Sequence, residues 1–164
     1  MLPRELSNGI CSLNERVNRL ALSVIMDIDQ KGDVINHSIF ESIICSKKRF
    51  TYTEVQKILE KDPVVCENNK QFTEALWNMH KLSQILMKKK HNLGYIEFDI
   101  PEVKVELDAL GNVVNLSKRK SDDSTKLIEA FMVVANETVA EHYAKLKAPF
   151  VYRIHETPDG EKMA

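Results

Sequence analysis

Leu127-Ile128-Glu129-Ala130-Phe131-Met132-Val133-Val134-Ala135-Asn136 is the stretch on which the fold turns. A helix on a protein surface carries a polar stripe along one side, and this segment has almost none, so the pattern predicts a helix buried on most of its circumference. Ser121-Asp122-Asp123-Ser124 places acids at the positive end of that helix, as the backbone dipole favours. The helix is expected to run to about Lys147, where Pro149 ends it. Glu129 and Asn136 lie seven residues apart, about two turns, and therefore share a face. A carboxylate enclosed in such a helix must be paired, hydrogen-bonded or engaged with a ligand. The residues alone leave a bond to a neighbouring Arg or amide and a ligand-facing role both open for Glu129.

Working outward from this helix, residues 1–16 read as a loop or short helical turn, because Pro3, Ser7, Asn8, Gly9 and Asn14 interrupt them. Alternating Leu20, Leu22, Val24, Met26 and Ile28 mark a strand over Arg19–Ile28. Asp29-Gln30-Lys31-Gly32-Asp33 supplies a turn, and Val34–Cys45 returns as a second strand. Thr51 or Thr53 is placed to cap a helix through Glu60, which Lys61-Asp62-Pro63 stops. A second helix is predicted over about Asn69–Lys90, with Phe72, Leu76, Met79, Leu82 or Ser83, and Leu86 on one face. Strands follow at Tyr95–Ile100, Val103–Leu107 and Val113–Leu116, the last two joined by an Asp108–Asn112 turn. Phe150–Ile154 reads as a buried strand, and Thr157-Pro158-Asp159 as a helix start. The order ββ-αα-βββ-α-β gives an α+β class: a mostly antiparallel sheet packed against long helices.

The 164 residues suit one core, and 23 Lys+Arg against 24 Asp+Glu leave a net charge of -1. No global positive field gathers phosphates, so any nucleic-acid contact must be local. No apolar run reaches the length that spans a bilayer and no leader pattern opens the chain, which points to a cytoplasmic protein with no membrane contact. Cys11, Cys45 and Cys66 are too scattered for a zinc or redox motif and read as reduced thiols. Asp27-Ile28-Asp29-Gln30-Lys31-Gly32-Asp33 imitates a calcium loop. Lys31, however, occupies a ligand position and Ser38 stands where the bidentate Glu belongs, so a hairpin turn is expected. Asp122-Asp123 is explained by the helix dipole without a metal. The basic clusters at 47–49, 88–90 and 118–120 could touch phosphates or simply be solvated. His155 has no nucleophile partner and reads as structural.

Five words in order resemble the RNB catalytic domain of the ribonuclease II / ribonuclease R family. Leu2–Asn14 is similar to LPxxLSxxxCSL, and Ser46–Tyr52 to SxxRxTY. Gly94–Asp99 is similar to RGAIDFD, Leu127–Asn136 to LIEEFMxxAN, and Tyr152–Glu156 to YRxHE. The resemblance covers nearly the whole chain. It implies an RNB-type fold and a parent enzyme that degrades single-stranded RNA processively from its 3′ end to nucleoside 5′-monophosphates. Tyr52 and Glu129 match family residues that contact RNA near its 3′ end and separate ribose from deoxyribose, and Phe98 matches an aromatic that stacks on terminal bases. Arg49, inside the second word, and Asn136, inside the fourth, complete the expected RNA-binding set. Stacking is indifferent to base identity, and a bond to the 2′-OH tells RNA from DNA. By periodicity alone Phe98 shares a strand face with Ile96 and Ile100 and reads as core, and Tyr52 as an ordinary half-buried tyrosine. Leu93 stands where the family often has Arg, and Ala130 where it often has a second Glu; both departures remove charge beside the proposed contacts.

The family cuts with two divalent ions, normally Mg²⁺. They are held by an aspartate cluster of the form DxxxxxDxDD upstream of the first word, and a TSPIRRY-like word far downstream carries a catalytic arginine. Neither word occurs here. The expectation is an internal segment of one RNB domain over 1–164, with no catalytic or metal residues of its own, inactive alone and dependent on the remaining domains of its parent. A non-catalytic RNA-binding or scaffold module of the same fold is the alternative. Bare edges would favour self-association.

Overall fold

The computed structural model describes residues 2–95, 102–119 and 121–154. After a π-helical turn at Glu5–Ile10 come β1 (Asn18–Ile28), β2 (Val34–Cys45), α1 (Tyr52–Leu59), α2 (Pro63–Asn68) and α3 (Lys70–Asn92). They are followed by β3 (Glu102–Leu107), β4 (Val113–Arg119) and α4 (Asp123–Lys145). The class is α+β as expected. The described strands form two separate antiparallel hairpins, β1–β2 and β3–β4.

Both hairpins turn on the same chemistry, a D-x-x-G-D/N segment. Asp29 Oδ1 accepts the amides of Lys31 and Asp33, each at 2.8 Å. Asp108 Oδ1 accepts those of Leu110 at 2.8 Å and Asn112 at 2.9 Å. Hydrogen bonds hold both carboxyls below the ordinary range, from the Asp33 amide above all for Asp29 and from the Asn112 side chain for Asp108. The calcium-like spelling around Asp29 is therefore a turn whose carboxylate is committed to backbone amides.

Gly32 closes the first turn at φ 85°, and a Cβ there would lie 3.3 Å from Ile85 Cγ2. Gly111 has φ 88° with open space around it. Gly32→Ala is expected to cost about 1–2 kcal/mol from the left-handed backbone alone, plus the crowding against Ile85. Gly111→Ala should cost only the backbone share. Urea denaturation of the two variants reads the difference, and equal midpoints would show that the tip does not press on α3.

Thr51 and Glu54 form a capping box on α1: the Glu54 amide donates to Thr51 Oγ1 at 3.2 Å and the Thr51 amide to Glu54 Oε2 at 3.0 Å. Pro63 was expected only to stop this helix. Instead it occupies the first turn of α2, where its missing N–H costs nothing, while Asp62 accepts the Val64 and Val65 amides at 3.0 and 3.1 Å. Lys61, at φ 63°, makes the corner. Ile58 is fully buried here, and its carbonyl accepts Trp77 Nε1–H at 3.0 Å.

On α3 the buried face is Thr73, Leu76, Ser83 and Leu86, with Phe72, Met79 and Leu82 half-buried beside it. Ser83 sits within this face because its hydroxyl is satisfied by the His80 carbonyl at 2.8 Å. Leu86 packs with Ala130 and Val134 of α4, and Met26, Ile28 and Val34 from the first hairpin close over them. This is where the core sits.

The all-round burial expected of α4 is not what the chain shows. Leu127 and Ala130 are 2% and 1% exposed, but Ile128 and Met132 are 48% and 55% exposed, and Glu129 and Asn136 also face outward. One stripe meets α1, α3 and the hairpin, while the opposite stripe, which sets Ile128 and Met132 beside Glu129 and Asn136, stays largely exposed among the described residues. Phe150–Ile154 is likewise not a strand. Left-handed Lys147 turns the chain after α4, and Phe150 stacks on Tyr143 with centroids 4.7 Å apart and planes 4° apart. Ring stacking takes the place of sheet pairing there. The strand expected at Tyr95–Ile100 has Tyr95 outside any strand and the rest outside the described residues, as are His155 and the helix start at Thr157.

Candidate nucleic-acid interface

A groove of about 770 Å³ opens where the segment before α1 crosses α3 and α4. Its floor is apolar, from Val55, Leu76, Met79, Leu127 and Ile128, and its rim carries Lys47, Lys48 and Arg49. Two of the residues singled out from sequence, Arg49 and Tyr52, line it together.

The position of Arg49 follows from its backbone. Ser46 bridges to Glu15, the Arg16 amide donates to the Ser46 carbonyl at 2.7 Å, and the Arg49 amide donates to Glu15 Oε2 at 3.0 Å. The chain is thus pinned on either side of the basic run while the side chains stay at the rim. Among the described residues no carboxylate pairs with the Arg49 guanidinium. Lys48 is differently placed. Its ammonium binds Asn69 Oδ1, lies 3.8 Å from Glu54 and sits 4.7 Å above the Phe50 ring. Phe50 in turn meets Phe72 edge to face at 5.5 Å. Tyr52, the first residue of α1, is 48% exposed and presents its ring to the groove.

Glu129 follows Ile128, a groove residue, and is exposed on α4 without lining the groove itself. Its Oε1 accepts the Tyr95 hydroxyl at 3.4 Å, a long contact. Asn136 is exposed on the same outer stripe, about 10.5 Å further along α4 by helical rise, and does not line the groove. Phe98 lies outside the described residues. Sequence reasoning missed Phe50 and Phe72. Phe50 stands inside the SxxRxTY word without being singled out, and Phe72 reads only as part of one apolar helix face, because helical periodicity does not distinguish a groove wall from an interior.

The α1 and α4 caps fix the floor. Asp122 accepts the Thr125 amide at 3.0 Å and the Ser124 hydroxyl at 2.7 Å. Partial burial works to raise the Asp122 carboxyl, yet these bonds outweigh it and hold the group below the ordinary range. Gln56 of α1 accepts the Ser124 amide at 3.2 Å, tying α1 to the start of α4 directly beneath the groove. The groove offers aromatic faces and cations on one rim. Among the described residues no three His, Cys, Asp or Glu side chains gather so as to hold a metal ion. No described helix is long and apolar enough to cross a membrane.

The family model described as the RNB domain matches residues 1–164. Ribonuclease R of Thermotoga maritima is 45% identical over 162 residues, covering 98% of this chain and 23% of that protein. The structure of Mycoplasma genitalium RNase R in complex with ribose methylated single-stranded RNA matches with a TM-score of 0.85 at 28% identity, over 99% of this chain and 25% of that one. The same organism's RNase R in complex with double-stranded RNA gives a TM-score of 0.87 at 29% identity, over 99% and 28%. The chain spans about a quarter of the length of these relatives. Matched by one family model from its first residue to its last, the chain belongs to the RNB domain family.

Proposed function

We propose that this chain forms part of the RNA channel of a 3′→5′ exoribonuclease that hydrolyses single-stranded RNA to nucleoside 5′-monophosphates. The observation that carries the reading is the joint placement of Arg49 and Tyr52 in one basic-rimmed apolar groove. In this reading Tyr52 and Phe50 offer faces for unpaired bases, and Arg49 and Lys47 meet phosphates. Glu129 exchanges its long bond to Tyr95 for a 2′-OH. Asn136 extends the contact along α4, and Phe98 supplies the stacking face that the family resemblance implies. Mg²⁺ would activate the attacking water and stabilise the leaving oxygen in the parent enzyme. The described residues do not fit such an ion, so the part played here is to grip and orient the strand. The outer stripe of α4 and the exposed faces of both hairpins are then seats for the rest of the parent.

Fluorescence anisotropy with labelled single-stranded RNA at several salt concentrations tests this. Arg49→Ala should reduce the slope of log affinity against log salt by about 0.7, one phosphate contact. With Mg²⁺ present the chain alone should release no mononucleotide. A salt slope indifferent to Arg49 would remove this residue from the interface, and Mg²⁺-dependent release would place the metal site within the chain.

A further inference from the structure

A direct bond between two imidazoles, His37 Nε2 to His142 Nδ1 at 2.9 Å, links the first hairpin to α4. The rings meet edge to face with centroids 5.0 Å apart, and the pair lines a second, polar pocket of about 570 Å³, open to water, on the molecule's hairpin side. An imidazole–imidazole bond needs one nitrogen bearing hydrogen and one with a free lone pair, so it survives with zero or one added proton and cannot form when both rings are cations.

We propose that the His37–His142 pair is a proton-operated clasp, which holds the hairpin against α4 near neutral pH and releases it when both rings are protonated. The surrounding charges support this because the acids are already committed. Asp33 pairs with Lys89 at 2.8 Å, Glu137 with Lys90 at 2.7 Å and Glu141 with Lys145 at 2.6 Å. On β1, Asp27 accepts Asn36 Nδ2–H at 3.2 Å. Each facing acid thus has a partner, though Glu141, held low chiefly by its hydrogen bond to Lys145, also feels the charge of His37. The remaining ties of hairpin to helices are few. Among the described residues they are the apolar contacts of Met26, Ile28 and Val34, the Thr138 hydroxyl on Met26 Sδ at 3.3 Å, and Lys89 reaching the Gly32 carbonyl at 3.2 Å and Asp33 at 2.8 Å. None of these ties uses an imidazole. Release should therefore loosen the hairpin while leaving the helices packed.

The sign follows from counting protons. The open form binds two and the clasped form at most one, so clasping weakens as pH falls, by up to about tenfold in its equilibrium constant per pH unit. The inference does not rest on the RNA reading, since no residue of the RNA groove takes part.

Amide exchange of β2, expressed as protection factors so that intrinsic pH effects cancel, tests it on the whole chain between about pH 7.5 and pH 5. Wild type should lose about tenfold in β2 protection while α3 stays constant. His37→Gln, whose amide can still bond His142 without titrating, should lose less than about twofold. His142→Gln gives the reciprocal test should the first variant fold poorly. Equal losses in wild type and in either folded Gln variant would overturn the clasp, as would unchanged β2 protection in wild type at pH 5.

Discussion

Leu127→Ala lowers the unfolding free energy by about 2–5 kcal/mol, the cost of a buried leucine and the cavity it leaves, whereas Ile128→Ala changes it by about 0.5 kcal/mol or less. The two residues are neighbours of similar size on one helix, and propensity alone would not separate them. Leu127 is 2% exposed where α4 crosses α1 and α3, and Ile128 is 48% exposed on the outer stripe. Urea midpoints at unchanged m-value measure the contrast. Comparable losses would mean that α4 is enclosed on both sides, by association of copies of the chain if not by its own fold, and sedimentation would identify that case.

Tyr52→Ala weakens binding of single-stranded RNA by about 5–150-fold, corresponding to roughly 1–3 kcal/mol of stacking on one aromatic face. Stability should hardly move, because a ring that is half exposed at the first position of α1 contributes little burial. Tyr52→Phe keeps the face and should retain most of the affinity. An anisotropy titration of the three proteins separates the possibilities, and an alanine variant binding as tightly as wild type would show that the strand runs elsewhere.

Local features of this fold were legible because their causes are local. The Thr51 cap and the Asp29 and Asp108 turns each depend on side chains within four residues of the backbone groups they satisfy. The α2 helix was missed for a related reason: Pro63 signals a stop and a start with the same letter, and only Asp62 behind it distinguishes them. The apolar circumference of α4 stated that burial was wanted on every side. It could not state which side this chain supplies, and the answer is the Leu127–Ala130–Val134 stripe. The groove was half legible. Arg49 and Tyr52 stood in one recognisable word, but Phe72 entered from α3 by tertiary crossing, which no spacing in the sequence encodes. Asn136 shared a face with Glu129 as expected, and the groove ends before it.

The grip on RNA is tested most directly by the ratio of affinities for RNA and DNA strands of one sequence, in wild type and in Glu129→Ala. Wild type should prefer RNA by about tenfold or more, the share of a hydrogen bond to a charged acceptor, and the variant should bind both within about twofold while keeping its DNA affinity. An RNA-to-DNA ratio identical in the two proteins would contradict the placement of the ribose at Glu129, and with it the groove as the path of the strand.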